Sequence, residues 1–195
     1  MDAIDRFRSR HASGTFVLPN PWDVGSARLL EALGFEALAT TSSGLALAHG
    51  QLDGSVALDE LAAHVRELTG AVALPLNVDA ERLFGDDASG IAEAVAQLAE
   101  AGAAGLSIED YDRDAGQIDD IVNAASRVRV AVDAAAKTGV VLTARAENLI
   151  RGVADVSDTL ERLRAYRDAG AAVLYAPGLV EPADIEAAVA IGPPL

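Results

Sequence analysis

Short apolar runs alternate with longer amphipathic segments along the whole of this 195-residue chain. The runs Thr15–Leu18, Ala37–Thr41, Ala73–Asp79, Gly105–Glu109, Val140–Arg145 and Ala172–Ala176 have the length and aliphatic content of buried strands. Between them, Val24–Leu33, Leu58–Thr69, Ala88–Ala101, Ile118–Thr138, Val156–Ala169 and Pro182–Ala190 place apolar residues at i, i+3 and i+4, as helices do. Several close on one signal: Ala32-Leu33-Gly34-Phe35, Glu100-Ala101-Gly102-Ala103 and Asp168-Ala169-Gly170-Ala171 each put a Gly where a left-handed C-cap belongs. The repeat is a strand–helix unit of roughly 30 residues, and such units build a parallel sheet covered by helices. Six are present, which fits either a doubly wound open sheet or a (β/α)8 barrel that stops early. The first strand-to-helix turn, Pro19-Asn20-Pro21-Trp22-Asp23, lacks the G-x-G-x-x-G of a dinucleotide fold. No linker or low-complexity tract divides the chain, so residues 1–195 read as a single α/β domain.

Three of the runs stop on acids: Asn77-Val78-Asp79-Ala80-Glu81, Ile108-Glu109-Asp110 and Arg145-Ala146-Glu147. Carboxylates at the ends of successive parallel strands converge on the rim where α/β folds place their chemistry. Crowded there, they repel one another unless a cation or an Arg sits among them. Asp79 and Glu81, two apart on a strand, share a face, and Glu109 ends the next strand. Together they suit Mg²⁺ or Mn²⁺, which take hard oxygen donors and complete an octahedron with water. Arg145 and Glu147 share a face by the same rule. An Arg there either clamps a substrate carboxylate or phosphate or neutralises Glu109. Thr41-Ser42-Ser43-Gly44, after the second strand, offers small polar groups and backbone N–H donors to an anion or enolate oxygen. Asp53, in Gln51-Leu52-Asp53-Gly54, reads from spacing as a turn residue. Of the three His residues, His11 and His64 read as surface groups on helices, and only His49 lies on a loop that could reach the rim.

Composition narrows the chemistry. Thirty acids against fifteen bases give a net charge of −15, which would repel a phosphate backbone and argues against nucleic-acid binding. The chain has no Cys, which excludes thiolate ligands and a thiol acid or base. Its one Lys, Lys137, ends a helix just before a strand and therefore sits at the rim opposite the acids, so no Lys is placed to form a Schiff base. No apolar run approaches the roughly 18 residues of a membrane span, and the charged start Met1-Asp2-Ala3-Ile4-Asp5-Arg6 does not read as a signal peptide. The chain reads as a cytoplasmic protein with no membrane partner.

The motifs, taken in order, resemble those of the isocitrate lyase/phosphoenolpyruvate mutase superfamily over essentially the whole chain. They are Pro19-Asn20-Pro21-Trp22-Asp23 with Ser26-Ala27-Arg28, Gly34-Phe35-Glu36-Ala37, Thr41-Ser42-Ser43-Gly44, Asp79-Ala80-Glu81, Ser107-Ile108-Glu109-Asp110, Thr143-Ala144-Arg145-Ala146-Glu147 and Ala169-Gly170-Ala171. The resemblance implies a (β/α)8 TIM-type barrel, here lacking its last two strand–helix units, and a homo-oligomer. It implies Mg²⁺-dependent chemistry on a small α-oxo acid, in which a C–C or P–C bond is cleaved or formed through an enolate. On this resemblance Asp79 is the direct metal ligand, and Glu81 and Glu109 act on the metal through water. Asp53 is a further acid of the catalytic site, Arg145 is a catalytic residue that binds substrate, and Thr41, Ser42 and Ser43 hold the oxo-acid carboxylate and enolate oxygen. Glu147, on the face of Arg145, is expected to bind substrate with it.

The chain departs from the family pattern in three places. The family's D-x-D-x-GYG stretch reads Asp79-Ala80-Glu81-Arg82-Leu83-Phe84-Gly85. The lid after the fourth strand, which carries Lys-Cys-Gly-His in the lyases and Lys with Asn in the mutases, reads Tyr111-Asp112-Arg113-Asp114-Ala115-Gly116-Gln117. It holds no Cys, Lys or Asn, and with Tyr111 as its only apolar anchor it reads as a mobile lid. The chain also stops at Gly192-Pro193-Pro194-Leu195, where the family's seventh strand begins. The expected activity is that of a lyase, decarboxylase or P–C hydrolase, with a non-catalytic oxo-acid binder as the alternative that the altered lid suggests.

Overall fold

Pleat parity organises the molecule. Along each strand one set of alternate residues is aliphatic and faces helices, while the other is small or polar and faces a cavity. The computed structural model describes all 195 residues. In chain order the elements are α1 (Ala3–Arg10), α2 (Val24–Ala32), β1 (Leu38–Ala39), α3 (Ser42–Ala48), α4 (Leu58–Ala71), β2 (Leu76–Asp79), α5 (Ala88–Glu100) and β3 (Gly105–Glu109). They continue with β4 (Tyr111–Asp112), β5 (Gln117–Ile118), α6 (Ile121–Thr138), β6 (Val141–Arg145), a 3-10 turn (Asn148–Arg151), α7 (Val156–Asp168), β7 (Val173–Tyr175) and α8 (Pro182–Val189).

The main sheet is parallel, in the order β1-β2-β3-β6-β7. Its strands are neighbours in chain order with no reversal, so the doubly wound alternative, which needs a switch point, is excluded. The arrangement is a curled, half-barrel parallel wall, consistent with part of a TIM-type barrel. Leu38, Leu76, Val78, Leu106, Ile108, Leu142, Ala144 and Leu174 point outward into the main core, with Leu61, Val65, Ile91, Leu98, Val128 and Leu163 from the helices. At the amino end of the wall α1 folds beneath it. Phe7 is fully buried against Ala37, Ala104, Val141 and Val173. Gly105 makes room for this packing: a Cβ there would lie 2.4 Å from the Phe7 ring and 2.7 Å from Asn77 Oδ1.

Acids finish many of the helices. Asp2, Asp23, Asp87, Asp120 and Asp155 accept first-turn backbone N–H bonds at the N-caps of α1, α2, α5, α6 and α7. Five of the thirty acids therefore have a local structural role as caps.

Several boundaries differ from those expected. Thr15–Leu18 forms no strand; the residues just after it meet β1 through Ala39 N–H to Pro19 O at 3.1 Å and Asn20 Nδ2 to Ala39 O at 3.0 Å. The strand expected over Ala73–Asp79 begins at Leu76, because α4 runs on to Ala71. The Thr41–Gly44 loop is instead the start of α3, with Thr41 as its N-cap. Helix α6 begins at Ile121, not Ile118, since Gln117 and Ile118 pair antiparallel with Asp112 and Tyr111. His64 is buried, against the expectation of a surface group. Beyond β7, Leu174 N–H donates to Pro194 O at 2.8 Å. No helix is long and apolar enough to cross a membrane.

Substituting Gly105 by Ala tests the packing of α1. With Phe7 fully buried, the added methyl cannot be accommodated by a simple ring movement, and urea unfolding is expected to show a loss of about 1–3 kcal/mol. In a Phe7→Ala background the same substitution is expected to cost much less. Equal costs in both backgrounds would show that the two residues are not coupled.

Candidate active site

The carboxyl ends of β2, β3 and β6 open into a cavity of about 670 Å³. Its position follows from register: Asp79 lies opposite Ser107, Ser107 opposite Thr143, and Glu109 opposite Arg145, which is opposite Tyr175. All of these side chains line the cavity, as do Thr41, Ser42, Ser43, Asp53, Arg113 and Arg151. Of the charged groups anticipated from the sequence, Asp53, Asp79, Glu109 and Arg145 line this cavity, whereas Glu81, Asp110 and Glu147 do not.

Asp79 is held by the start of α3. Its Oδ2 accepts from the Ser42 backbone N–H at 3.0 Å and the Ser42 hydroxyl at 2.9 Å, while its own N–H donates to Thr40 Oγ1 at 2.9 Å. Ser42 therefore positions an acid in this structure. Thr41 and Ser43 share a hydroxyl–hydroxyl bond of 3.1 Å at the cavity wall. On the other side of Asp79, Arg145 Nη1 lies 3.6 Å from Oδ1 and 3.9 Å from Glu109 Oε2. Arg145 thus pairs with the acids, as one of its two readings expected, and also lines the cavity.

Glu109 is 5% exposed, and its Oε1 is buried with no hydrogen-bond partner. Burial, reinforced by Glu147 and only partly offset by Arg145, pushes its carboxyl up to about 8. Glu81 is also raised, chiefly by burial, with Arg113 opposing and Asp79 adding to the shift. Glu147 is fully buried and is not among the residues that line the cavity. Its carboxylate is shared by Arg145 Nε and by Arg151 Nε, the latter at 3.2 Å. It reaches the cavity only through the two guanidiniums that it holds.

The Tyr111–Gln117 segment is a hairpin tied at several points. Arg113 bonds Asp53 Oδ2 at 2.9 Å and Glu81 Oε2 at 3.1 Å, bridging the α3–α4 loop and the β2–α5 loop across the mouth. Gly54, at φ +85°, permits that approach, because a Cβ there would lie 2.5 Å from Arg113 Cδ. Asp112 meets Arg82 at 3.4 Å, and Tyr111 lies under the Arg151 guanidinium, 4.0 Å from ring centroid to Cζ. Asp53, a turn residue by its spacing, is thereby drawn into the site. The β2–α5 loop carries three non-glycine residues in the left-handed region, Glu81, Leu83 and Phe84. Arg127 of α6 fixes it from behind, donating to the carbonyls of Arg82 and Gly85, both at 2.7 Å.

The residues not anticipated as site groups are Thr40, Asn77, Ser107, Thr143, Arg151 and Tyr175. Ser107, Asn77 and Thr143 each precede by two a residue that was identified, so period-2 counting along the strands marks them. Arg151 lies on a 3-10 turn and carries no such signal. His49 pairs at 3.8 Å with Glu60 and does not line the cavity.

The donor set fits a hard dication. Glu109 Oε1 is an unpartnered buried carboxyl oxygen, and Asp79 Oδ1 has only the long ion pair to Arg145. No three of the acids stand close enough to hold a metal by themselves.

Comparison with known proteins agrees with this geometry. The sequence profile of the phosphoenolpyruvate phosphomutase family matches residues 7–194. A 2-methylisocitrate lyase of Salmonella typhimurium is 34% identical over 164 residues, which is 80% of this chain and 55% of the lyase. Among solved structures, one from Burkholderia cenocepacia assigned as a lyase/mutase superposes with a TM-score of 0.92 at 45% identity, covering 97% of this chain and 70% of that one. A phosphonopyruvate hydrolase complexed with oxalate and Mg²⁺ superposes with a TM-score of 0.87 at 25% identity, over 97% of this chain and 68% of the hydrolase. The chain therefore spans between about half and about two thirds of the length of these relatives, and along that span it belongs to the phosphoenolpyruvate phosphomutase family of the isocitrate lyase/phosphoenolpyruvate mutase superfamily.

Proposed function

We propose that this chain carries the active-site wall of a Mg²⁺-dependent enzyme that cleaves a C–C or P–C bond in a small α-oxo carboxylate. The observation that carries the reading is the alignment of Asp79, Glu109 and Arg145 on one cavity, with Glu109 Oε1 buried and unpartnered. Asp79 and Glu109, with Glu81 behind them, would hold the cation, Asp79 directly and the two Glu residues through water. When bound, the cation supplies Lewis-acid polarisation of the oxo and carboxylate oxygens. Arg145 orients the substrate carboxylate and stabilises negative charge as it develops on the oxo oxygen, because Glu147 fixes its guanidinium at the cavity wall. Thr41 and Ser43 present hydroxyls to the same anion, and Ser42 keeps Asp79 aimed inward. Asp53 acts through Arg113, closing the hairpin over the cavity and excluding water.

The test is Mg²⁺-dependent turnover across a panel of oxo acids, beginning with release of pyruvate from oxaloacetate. Turnover of none of them, with oxalate still bound, would favour the non-catalytic oxo-acid binder, for which the hairpin without Cys, Lys or Asn is the motive.

Asp79→Asn is expected to weaken Mg²⁺ binding by more than about tenfold in calorimetric titration. Glu109→Gln should be milder, since an amide preserves part of a water-mediated contact, and Asp53→Asn milder still. Binding by Asp79→Asn as tight as that of the parent would refute the assignment of the direct ligand.

Glu109 also predicts a pH dependence. Its ordinary value is 4.5, and in the folded chain it is pushed up to about 8. Over that window the folded state keeps a proton that the unfolded chain has lost, so this carboxyl makes the metal-free protein less stable as pH rises. Glu109→Gln cannot ionise and lacks that slope. The Tm of the variant minus that of the metal-free parent should therefore grow between about pH 4.5 and pH 8. A flat difference would exclude a protonated Glu109.

A further inference from the structure

Arg151 faces the same cavity from the turn after β6, yet the chemistry proposed above leaves it without a role. Three contacts fix its guanidinium plane. Nε donates to Glu147 Oε2 at 3.2 Å, the face lies over Tyr111 at 4.0 Å, and the residue sits one step before Gly152, whose φ of +87° closes the 3-10 turn. Its two Nη nitrogens meet no protein acceptor, and the side chain is only 25% exposed. Glu147 is already engaged by Arg145, so one buried carboxylate serves two guanidiniums, and Arg151 has no other acid paired with it. A rigid fork with free donors, beside the Arg that takes the oxo-acid head, is suited to a planar anion at the far end of the same molecule.

We propose that Arg151 is a specificity-determining residue that receives a second anionic group on the substrate, which makes the substrate a dianionic oxo acid such as an α-oxo dicarboxylate. The inference rests on the oxo-acid reading of the site and adds the distal charge to it. Tyr111 belongs to the hairpin across the mouth, so closure of that hairpin and alignment of Arg151 go together. A substrate lacking the distal anion would leave the fork unfilled.

Two stable probes separate head from tail: oxamate carries the oxo-acid head alone, and N-oxalylglycine carries the same head with a distal carboxylate. Calorimetric titration of each, with Mg²⁺ present, is made on the parent chain, Arg151→Met and Arg151→Lys. The parent should prefer N-oxalylglycine. Arg151→Met should lose about ten- to a hundredfold in affinity for it, the range of a charged hydrogen-bonded contact, and keep oxamate binding within about twofold. Arg151→Lys keeps the charge but not the fork, so it should lose less than Met; it also serves as the readout should the Met variant not fold. Equal binding of both probes by the parent would overturn the distal site while leaving the oxo-acid reading intact. Equal loss of both probes in the variants would overturn it too, since Arg151 would then only hold Glu147. A parent that binds neither probe would remove the oxo-acid reading itself, and this inference with it.

Discussion

Repulsion between like charges at the carboxyl ends of β2, β3 and β6 is the constraint around which the site is built. Strand register sets Asp79 and Glu109 on neighbouring strands, Glu81 joins them from the turn after β2, where its carbonyl accepts the Glu109 N–H at 2.9 Å, and burial strengthens their mutual interaction. The chain answers with guanidiniums from two directions. Arg145 rises from the wall itself, between Asp79, Glu109 and Glu147, while Arg113 comes down from the hairpin onto Glu81 and Asp53. The raised Glu109 carboxyl marks where this compensation is incomplete. Ion pairs and the unsatisfied acid together define a place where a dication would relieve strain already present in the fold.

The parallel wall was legible because each of its central strands is an apolar run bounded by turn chemistry, and because Gly34, Gly102, Gly139 and Gly170 follow their helices in the left-handed conformation. Asp79 and Glu109 were legible as acids that end apolar runs, but the two-apart rule fails for Glu81 and Glu147, which lie beyond the ends of β2 and β6. What the sequence concealed is what tertiary contact decides. Thr15–Leu18 has strand composition but forms no ladder along its length, and the Tyr111–Ile118 hairpin has no run long enough to register as strand. Ser42 looked like a ligand for an anion and holds Asp79, because only the fold sets the start of α3 against the end of β2. Arg113 and Arg151 lie outside any strand period, and nothing in their spacing reveals that they meet over one cavity.

The strained turn after β2 shows how position is kept without rigidity in the site itself. Glu81, Leu83 and Phe84 occupy the left-handed region, which costs of order 1–3 kcal/mol per residue where a side chain is present. Arg127 compensates from α6 by binding the turn's carbonyls, so the force that shapes it comes from the helix layer. Arg162 and Tyr166 of α7 do the same for Asp110, which in turn accepts the Glu147 N–H at 2.8 Å.

The anchors Arg127, Arg162, Tyr166 and Asp110 all lie behind the rim, on the helix side, while the residues open to the cavity lie on the other pleat. None of these four lines the cavity, although Ser42 and Arg113 both anchor and line it. The hairpin across the mouth can therefore drift in sequence, exchanging one reacting group for another, while the loops beneath it stay where they are. A lineage built this way can change which molecule it transforms by altering a handful of cavity positions, without first having to rebuild the wall on which they stand.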